Sequence, residues 1–319
     1  METIGNLIPP FDWTSFLFQP WTPPYEQGSL WILVMGFLVA ASCGLIGNFI
    51  ILRRLALVGD AISHTILLGI VLAFLVTRST GTLPMFVGAV LAGLLTSVII
   101  EFIHKHSRIK PDAAIGITFS TLFAIGVILV ACFADQVDLD QECVLYGEIA
   151  FIAYEEPLVV AGKALAPLSV VRMGGVFMLI LLFISLFYKE LQVTAFDAGL
   201  ARSLGINPTL FHYATMILVS LAIVSGFESV GAILVVAMLI FPGTTAGLLS
   251  DRLPVHLLLS VFFALCYALL GLHLATWLNC SIAGAMVVVA GGIFALAWLL
   301  SPQKGLIALG MRRFAQAGT

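Results

Sequence analysis

The segment Gly59-Asp60-Ala61-Ile62-Ser63-His64 lies within an apolar stretch, Leu55 to Thr77, long enough to cross a bilayer. On a helix, residues four apart share a face and are separated by roughly 6 Å along the axis, so Asp60 and His64 point the same way. That spacing suits two ligands of one metal ion. The reading puts the pair at mid-membrane depth, where an Asp costs about 2.5–3.5 kcal/mol to insert. A carboxylate there marks a transport path or reactive site, or else is a structural Asp paired with a neighbouring helix; both alternatives stay open on these residues alone.

The rest of the chain has the composition of a membrane protein. Of 319 residues, 61% are hydrophobic and 10% charged, with a mean hydropathy of +1.13, whereas a soluble domain carries about 25% charged residues. Apolar segments of transmembrane length fall at Ser29–Leu52, Leu55–Thr77, Thr82–His104, Ala113–Ala134, Leu168–Tyr188, Pro208–Gly226, Val230–Leu249, Val255–Trp277 and Ile282–Leu300. The expectation is an all-α polytopic transmembrane bundle of about nine helices. Merging Pro208–Leu249 into one broken helix leaves eight.

Charge orients the bundle. With Arg53 and Arg54 inside, Lys105, Arg108, Lys110, Lys189, Arg202, Arg252, Lys304, Arg312 and Arg313 fall on the same side, and only Arg78, Lys163 and Arg172 lie outside. The N-terminus is then outside and the C-terminus inside. The chain divides into an outer N-terminal segment (1–28), a transmembrane domain (29–300) and a cytoplasmic tail (301–319). The first segment is rich in Pro and aromatics and lacks a basic region ahead of an apolar core, so it does not read as a cleavable signal; Trp13, Trp21 and Tyr25 suit the outer interface. The outer stretch from Asp135 to Pro167 carries Asp135, Asp138, Asp140, Glu142, Glu148, Glu155 and Glu156, either an acidic mouth that concentrates cations or an ordinary solvated loop.

Of five cysteines, Cys43, Cys132 and Cys266 fall in apolar spans and read as small core residues. Cys143 and Cys280 map to the outer face, where a disulfide between them is left open. His104 and His106 lie in a basic inner loop, and His212, His256 and His273 near helix ends or on apolar faces; none reads as a ligand.

Enzyme classes find little support. A membrane zinc protease needs His-Glu-x-x-His, which is absent, and an intramembrane aspartyl protease needs Gly-x-Gly-Asp, where this chain has Leu57 at the first Gly. The only Gly-Lys step, Gly162-Lys163, is followed by Ala164, so no phosphate-binding loop of the Gly-x-x-x-x-Gly-Lys-Ser/Thr type exists. An ion-coupled secondary carrier remains the alternative to an ATP-driven transporter.

Phe196 to Pro208 reads as a short helix capped by Asp197 and stopped at Gly205, a docking knob or a plain connector. Together with Leu57-Val58-Gly59-Asp60-Ala61-Ile62-Ser63-His64 and the string from Ser229 through Pro242-Gly243 to Ala246, it resembles the permease family of metal-uptake ABC transporters, which import manganese, zinc or iron. Pro111-Asp112-Ala113-Ala114-Ile115-Gly116 and Leu145-Tyr146-Gly147 are similar to further landmarks of that family, and the resemblance covers about Ser29 to Leu300.

The resemblance implies a bacterial inner-membrane permease with no cofactor of its own. Its partners would be a second permease protomer, identical or related, a cytoplasmic ATP-binding subunit, an outer solute-binding protein and membrane lipid, with no nucleic acid. It implies that Asp60 and His64 map onto metal-coordinating positions, and that Asp197, Ala201, Arg202, Leu204 and Gly205 map onto the helix that couples to the ATPase. Two departures stand out. Leu68 replaces a common Pro, which implies a straighter helix past His64, and Glu228 is an unexpected charge, read as an added outer ligand or a solvated turn.

Overall fold

A bilayer leaves the backbone no solvent to bond with, so each apolar segment closes its hydrogen bonds internally as a helix. The computed structural model describes residues 11–23, 26–53, 55–79, 81–133, 149–155, 157–160, 163–301 and 305. A short helix, α1 (Trp13–Phe18), and a 3-10 turn precede α2 (Glu26–Leu52), α3 (Val58–Thr77), α4 (Thr82–His106) and α5 (Pro111–Phe133). After a second 3-10 turn, a two-stranded antiparallel hairpin of β1 (Pro157–Val160) and β2 (Lys163–Pro167) leads into α6 (Leu168–Leu186), α7 (Tyr188–Phe196) and α8 (Ala198–Ser203). The chain continues through α9 (Pro208–Leu249) to α10 (Leu253–Leu278) and α11 (Ile282–Leu300).

Among the described residues, eight of these helices are long and apolar enough to cross a membrane. One of the eight, α9, is 42 residues, which as a straight rod would reach about 63 Å, twice the bilayer core. It is not straight. Gly231 takes φ 79° and ψ 166°, a conformation essentially reserved for glycine, and breaks the helix. Beyond it the chain doubles back: a Cβ on Gly226 would meet the Val235 side chain at 3.0 Å, and the side chains of Ile223 and Leu239 both reach Gly59. The two expected segments are therefore the arms 208–230 and 232–249 of one broken helix, with the break at Gly231 rather than between Gly226 and Val230.

Small residues let the helices approach closely, as packing in lipid requires. A Cβ on Gly88 would lie 2.5 Å from the carbonyl oxygen of Gly69, so α3 and α4 cross backbone to backbone at that point. Gly47 of α2 lies against the Leu239 carbonyl in the same way. The helix α3 is continuous through Leu68.

Side-chain contacts relate the two ends of the bundle. Trp21 Nε1 donates to His273 Nε2 at 3.3 Å near the end of α10, and Phe11 and Phe16 pack on Trp277 and His273. Ser301, after α11, donates to the Leu248 carbonyl at 2.6 Å, near where α9 ends and α10 begins. The described N-terminal segment and Ser301 thus occupy opposite ends. Glu155 accepts from the Ser169 backbone N–H and hydroxyl at 3.2 and 2.7 Å, fastening the segment before the hairpin to α6. Most of the acidic stretch, together with Cys143 and Leu145-Tyr146-Gly147, lies outside the described residues, so the Cys143–Cys280 pairing does too.

Candidate functional site

Gly59, Ala61, Ile62, Ser63, Thr65 and Ile66 turn the buried side of α3 into the bundle, which leaves Asp60 and His64 on its partly exposed face. His64 Nε2 stands 3.5 Å from Asp60 Oδ1, and the side chains are 35% and 44% exposed respectively. At that length the two groups are neighbours rather than a tight hydrogen bond, so both keep lone pairs to offer. Ser63 donates instead to the Asp60 carbonyl, at 2.8 Å. The imidazole is set by α5: Phe119 stacks on it at 5.6 Å between centroids, and Phe123 meets it edge-on at 5.7 Å.

The position along the helix differs from the sequence expectation. Because α3 begins at Val58, Asp60 lies in its first turn and His64 in its second, not at the middle of the helix. The cause is the turn after Leu52, which starts α3 inside the bundle, at the level of Ile223 and Leu239. A first-turn carboxylate is stabilised by the helix dipole, which offsets part of its desolvation cost. Among the described residues no group of three or more His, Cys, Asp or Glu side chains is arranged to hold a metal ion, so this chain offers a pair of donors on a partly exposed face.

The second candidate element is equally well determined by local chemistry. Asp197 caps α8, accepting from the N–H groups of Gly199 and Leu200 at 2.8 and 3.0 Å. Gly205 ends the segment at φ 77°, and the Ile206 N–H closes onto the Ala201 carbonyl at 2.9 Å. Asn207 then caps α9, with Pro208 at its start. Of the residues expected at an ATPase contact, Arg202 and Leu204 are exposed, whereas Ala201 is 0% exposed and faces its own chain. The outward apolar surface is made by Leu204 with Phe196 and Leu200, which the sequence reading did not select.

Glu228, half exposed near the end of the first arm of α9, forms an ion pair. Its carboxylate lies 2.6 Å from Arg172 of α6, and the Arg172 guanidinium sits over the Phe86 ring of α4 at 5.6 Å. His104 and His106 sit in the last turn of α4, and His273 is buried beneath Trp21.

A model of the ABC 3 transport family matches residues 27–301. The chain is 46% identical over 282 residues to the manganese transport system membrane protein MntD of Bacillus subtilis (strain 168), covering 88% of this chain and 95% of that one. It is 42% identical over 276 residues to the zinc transport system membrane protein TroD of Treponema pallidum (strain Nichols), covering 86% and 75%. Among solved structures, PsaBC from Streptococcus pneumoniae in complex with Fab superposes with a TM-score of 0.73 at 33% identity, covering 93% of this chain and 99% of that chain. With eight apolar helices, a capped helix between α7 and α9 and a family match over most of its length, this chain is a multi-pass membrane protein that belongs to the ABC 3 transport family.

Proposed function

We propose that the chain is the membrane permease subunit of an ATP-binding-cassette importer that moves a divalent transition-metal ion, manganese, zinc or iron, across the bacterial cytoplasmic membrane. The observation that carries the reading is the Asp60–His64 pair, two metal-type donors held together on a face of α3 that this chain leaves partly exposed. Carboxylate oxygen and imidazole nitrogen suit manganese, iron and zinc alike. The names of the manganese and zinc relatives support the same substrate class, and family membership favours the ATP-driven reading over an ion-coupled carrier.

One chain presents two donors on a partly exposed face, so a second protomer bringing its own Asp and His across a twofold axis would complete a four-donor shell. Phe119 and Phe123 hold the imidazole plane, so that Nε2 turns toward the ion with little entropy left to lose. The exposed knob of Phe196, Leu200 and Leu204 would dock in a groove of the ATP-binding subunit, with Arg202 at its rim. Arg53, Lys105, Arg108, Lys110, Lys189, Arg202 and Arg252 cluster at that end of the bundle, which supports a cytoplasmic face there and delivery of the ion from the opposite one.

The test is reconstitution with a co-expressed ATP-binding subunit in proteoliposomes. Manganese accumulation should require ATP hydrolysis and survive collapse of the proton gradient. Uptake that persists without the ATPase and stops when the gradient is dissipated would replace this reading with a secondary carrier.

A further inference from the structure

Arg53 follows the last turn of α2 and lies in the short link to α3, seven positions before Asp60. Its two terminal nitrogens reach two other helices. One donates to Thr194 Oγ1 of α7 at 3.2 Å, and the other lies 3.2 Å from His212 Nδ1 at the start of α9. A guanidinium can only donate, so Nδ1 accepts and the His212 ring proton sits on Nε2. That nitrogen faces Glu101 Oε2 of α4 at 3.5 Å, while Glu101 Oε1 holds Lys105 at 2.5 Å. Burial lowers the affinity of Arg53 for its proton, yet a guanidinium stays charged, so the donor side of the chain is permanent.

The geometry joins the two candidate elements. The helix α7, which carries the buried Thr194, runs into α8 through the single residue Asp197, so a displacement of α8 displaces Thr194. Arg53 transfers that displacement to the link that starts α3. Room to respond is present: a cavity of about 150 Å³ lies beside the first turn of α3, lined by Leu55, Val58, Ser97, Glu101, His212 and Met216. The planar two-pronged guanidinium is the group that can hold both partners at once, which a lysine ammonium at the same place would not do.

We infer that Arg53 and Thr194 form a positioning pair that couples movement of the ATPase-docking segment to the turn bearing Asp60. The inference rests on the importer reading above. It assigns no metal contact to either residue; they act through α3.

Thr194→Val preserves shape and removes the acceptor, whereas Thr194→Ser restores it. In proteoliposomes containing the permease and its ATP-binding subunit, with manganese as the probe, manganese moved per ATP hydrolysed should fall about tenfold in Thr194→Val. Basal ATP hydrolysis should stay at the wild-type level, and Thr194→Ser should recover coupling. If Thr194→Val does not reach the membrane in wild-type amounts, Arg53→Lys carries the same readouts, with the same drop expected. A wild-type coupling ratio in the variant measured, or equal loss in Thr194→Ser and Thr194→Val, overturns the inference while leaving the importer reading intact. Absence of ATP-driven manganese uptake in the wild type overturns the importer reading itself, and this inference with it.

Discussion

Arg172 and Glu228 meet at 2.6 Å between the start of α6 and the end of the first arm of α9, three residues before the Gly231 break. The pair closes the end of the bundle opposite Arg53. Solvent at the half-exposed carboxylate weakens the pair, but the Arg172 side it serves is more enclosed, with Nε buried and without a hydrogen-bond partner. Removing the carboxylate leaves the cation with the Phe86 ring and its partial exposure to water to offset its burial. Glu228→Gln should lower the stability of the purified permease by about 0.5–1 kcal/mol, the solvent at the half-exposed carboxylate screening the pair. The double variant Arg172→Glu/Glu228→Arg should recover part of that loss. Thermal unfolding in detergent checks it, and an unchanged melting point for Glu228→Gln would contradict the account.

Gly231 and Gly205 both have positive φ, but they differ in what a side chain would cost. At φ 79° and ψ 166°, Gly231 lies where an L-residue is strained by about 1–3 kcal/mol, and that strain would fall on the reversal that makes two arms of α9. At Gly205 nothing lies within 4 Å of an added Cβ, so only the left-handed turn resists, at about 1–2 kcal/mol. Gly231→Ala should therefore reduce folded yield more than Gly205→Ala. Comparing monodisperse protein at matched expression tests the ranking, and equal yields would remove the argument for a strained reversal.

The proposed docking surface should be probed at Leu204 rather than Ala201. A large residue at the buried Ala201 would disrupt this chain's own packing, whereas Leu204 is 60% exposed. Leu204→Asp should leave the permease stable but weaken capture of the ATP-binding subunit by about 1–3 kcal/mol, a loss of roughly fivefold or more. Co-purification at graded detergent and salt measures it, and undiminished capture would move the interface elsewhere.

The basic residues at the Arg53 end make orientation testable. In a background lacking the native cysteines, a cysteine at Ser79, beyond the far end of α3, should react in intact cells with a membrane-impermeant thiol reagent. A cysteine at Ser203, on α8, should react only after permeabilisation. The reverse pattern would invert the topology.

Much of this architecture is visible in the sequence because lipid imposes a simple rule, about twenty apolar residues per crossing, and because a helix puts Asp60 and His64 on one face by geometry alone. The caps at Asp197 and Asn207 are legible for the same reason: they are local bonds within three residues. The position of the reversal in α9 is harder to read. Gly226, Ser229 and Gly231 are all candidates in an apolar run, and only packing of Gly226 on Val235 selects the last. The inner network is invisible in sequence, since Arg53 and His212 are 159 positions apart and neither sits in a metal-type or capping pattern. The burial of Ala201 is not legible either, because it depends on how α8 rests on the bundle, not on α8 itself.

The central claim is that Asp60 and His64 bind the ion as it crosses. Radiolabelled manganese accumulation in cells expressing Asp60→Ala or His64→Ala, at matched membrane abundance and with the ATP-binding subunit still bound, tests it most directly. The account predicts that either substitution reduces uptake to the background of cells lacking the permease, because a pair of donors 3.5 Å apart cannot lose one and still replace the water shed by the ion. Uptake at the wild-type rate by either variant would contradict it.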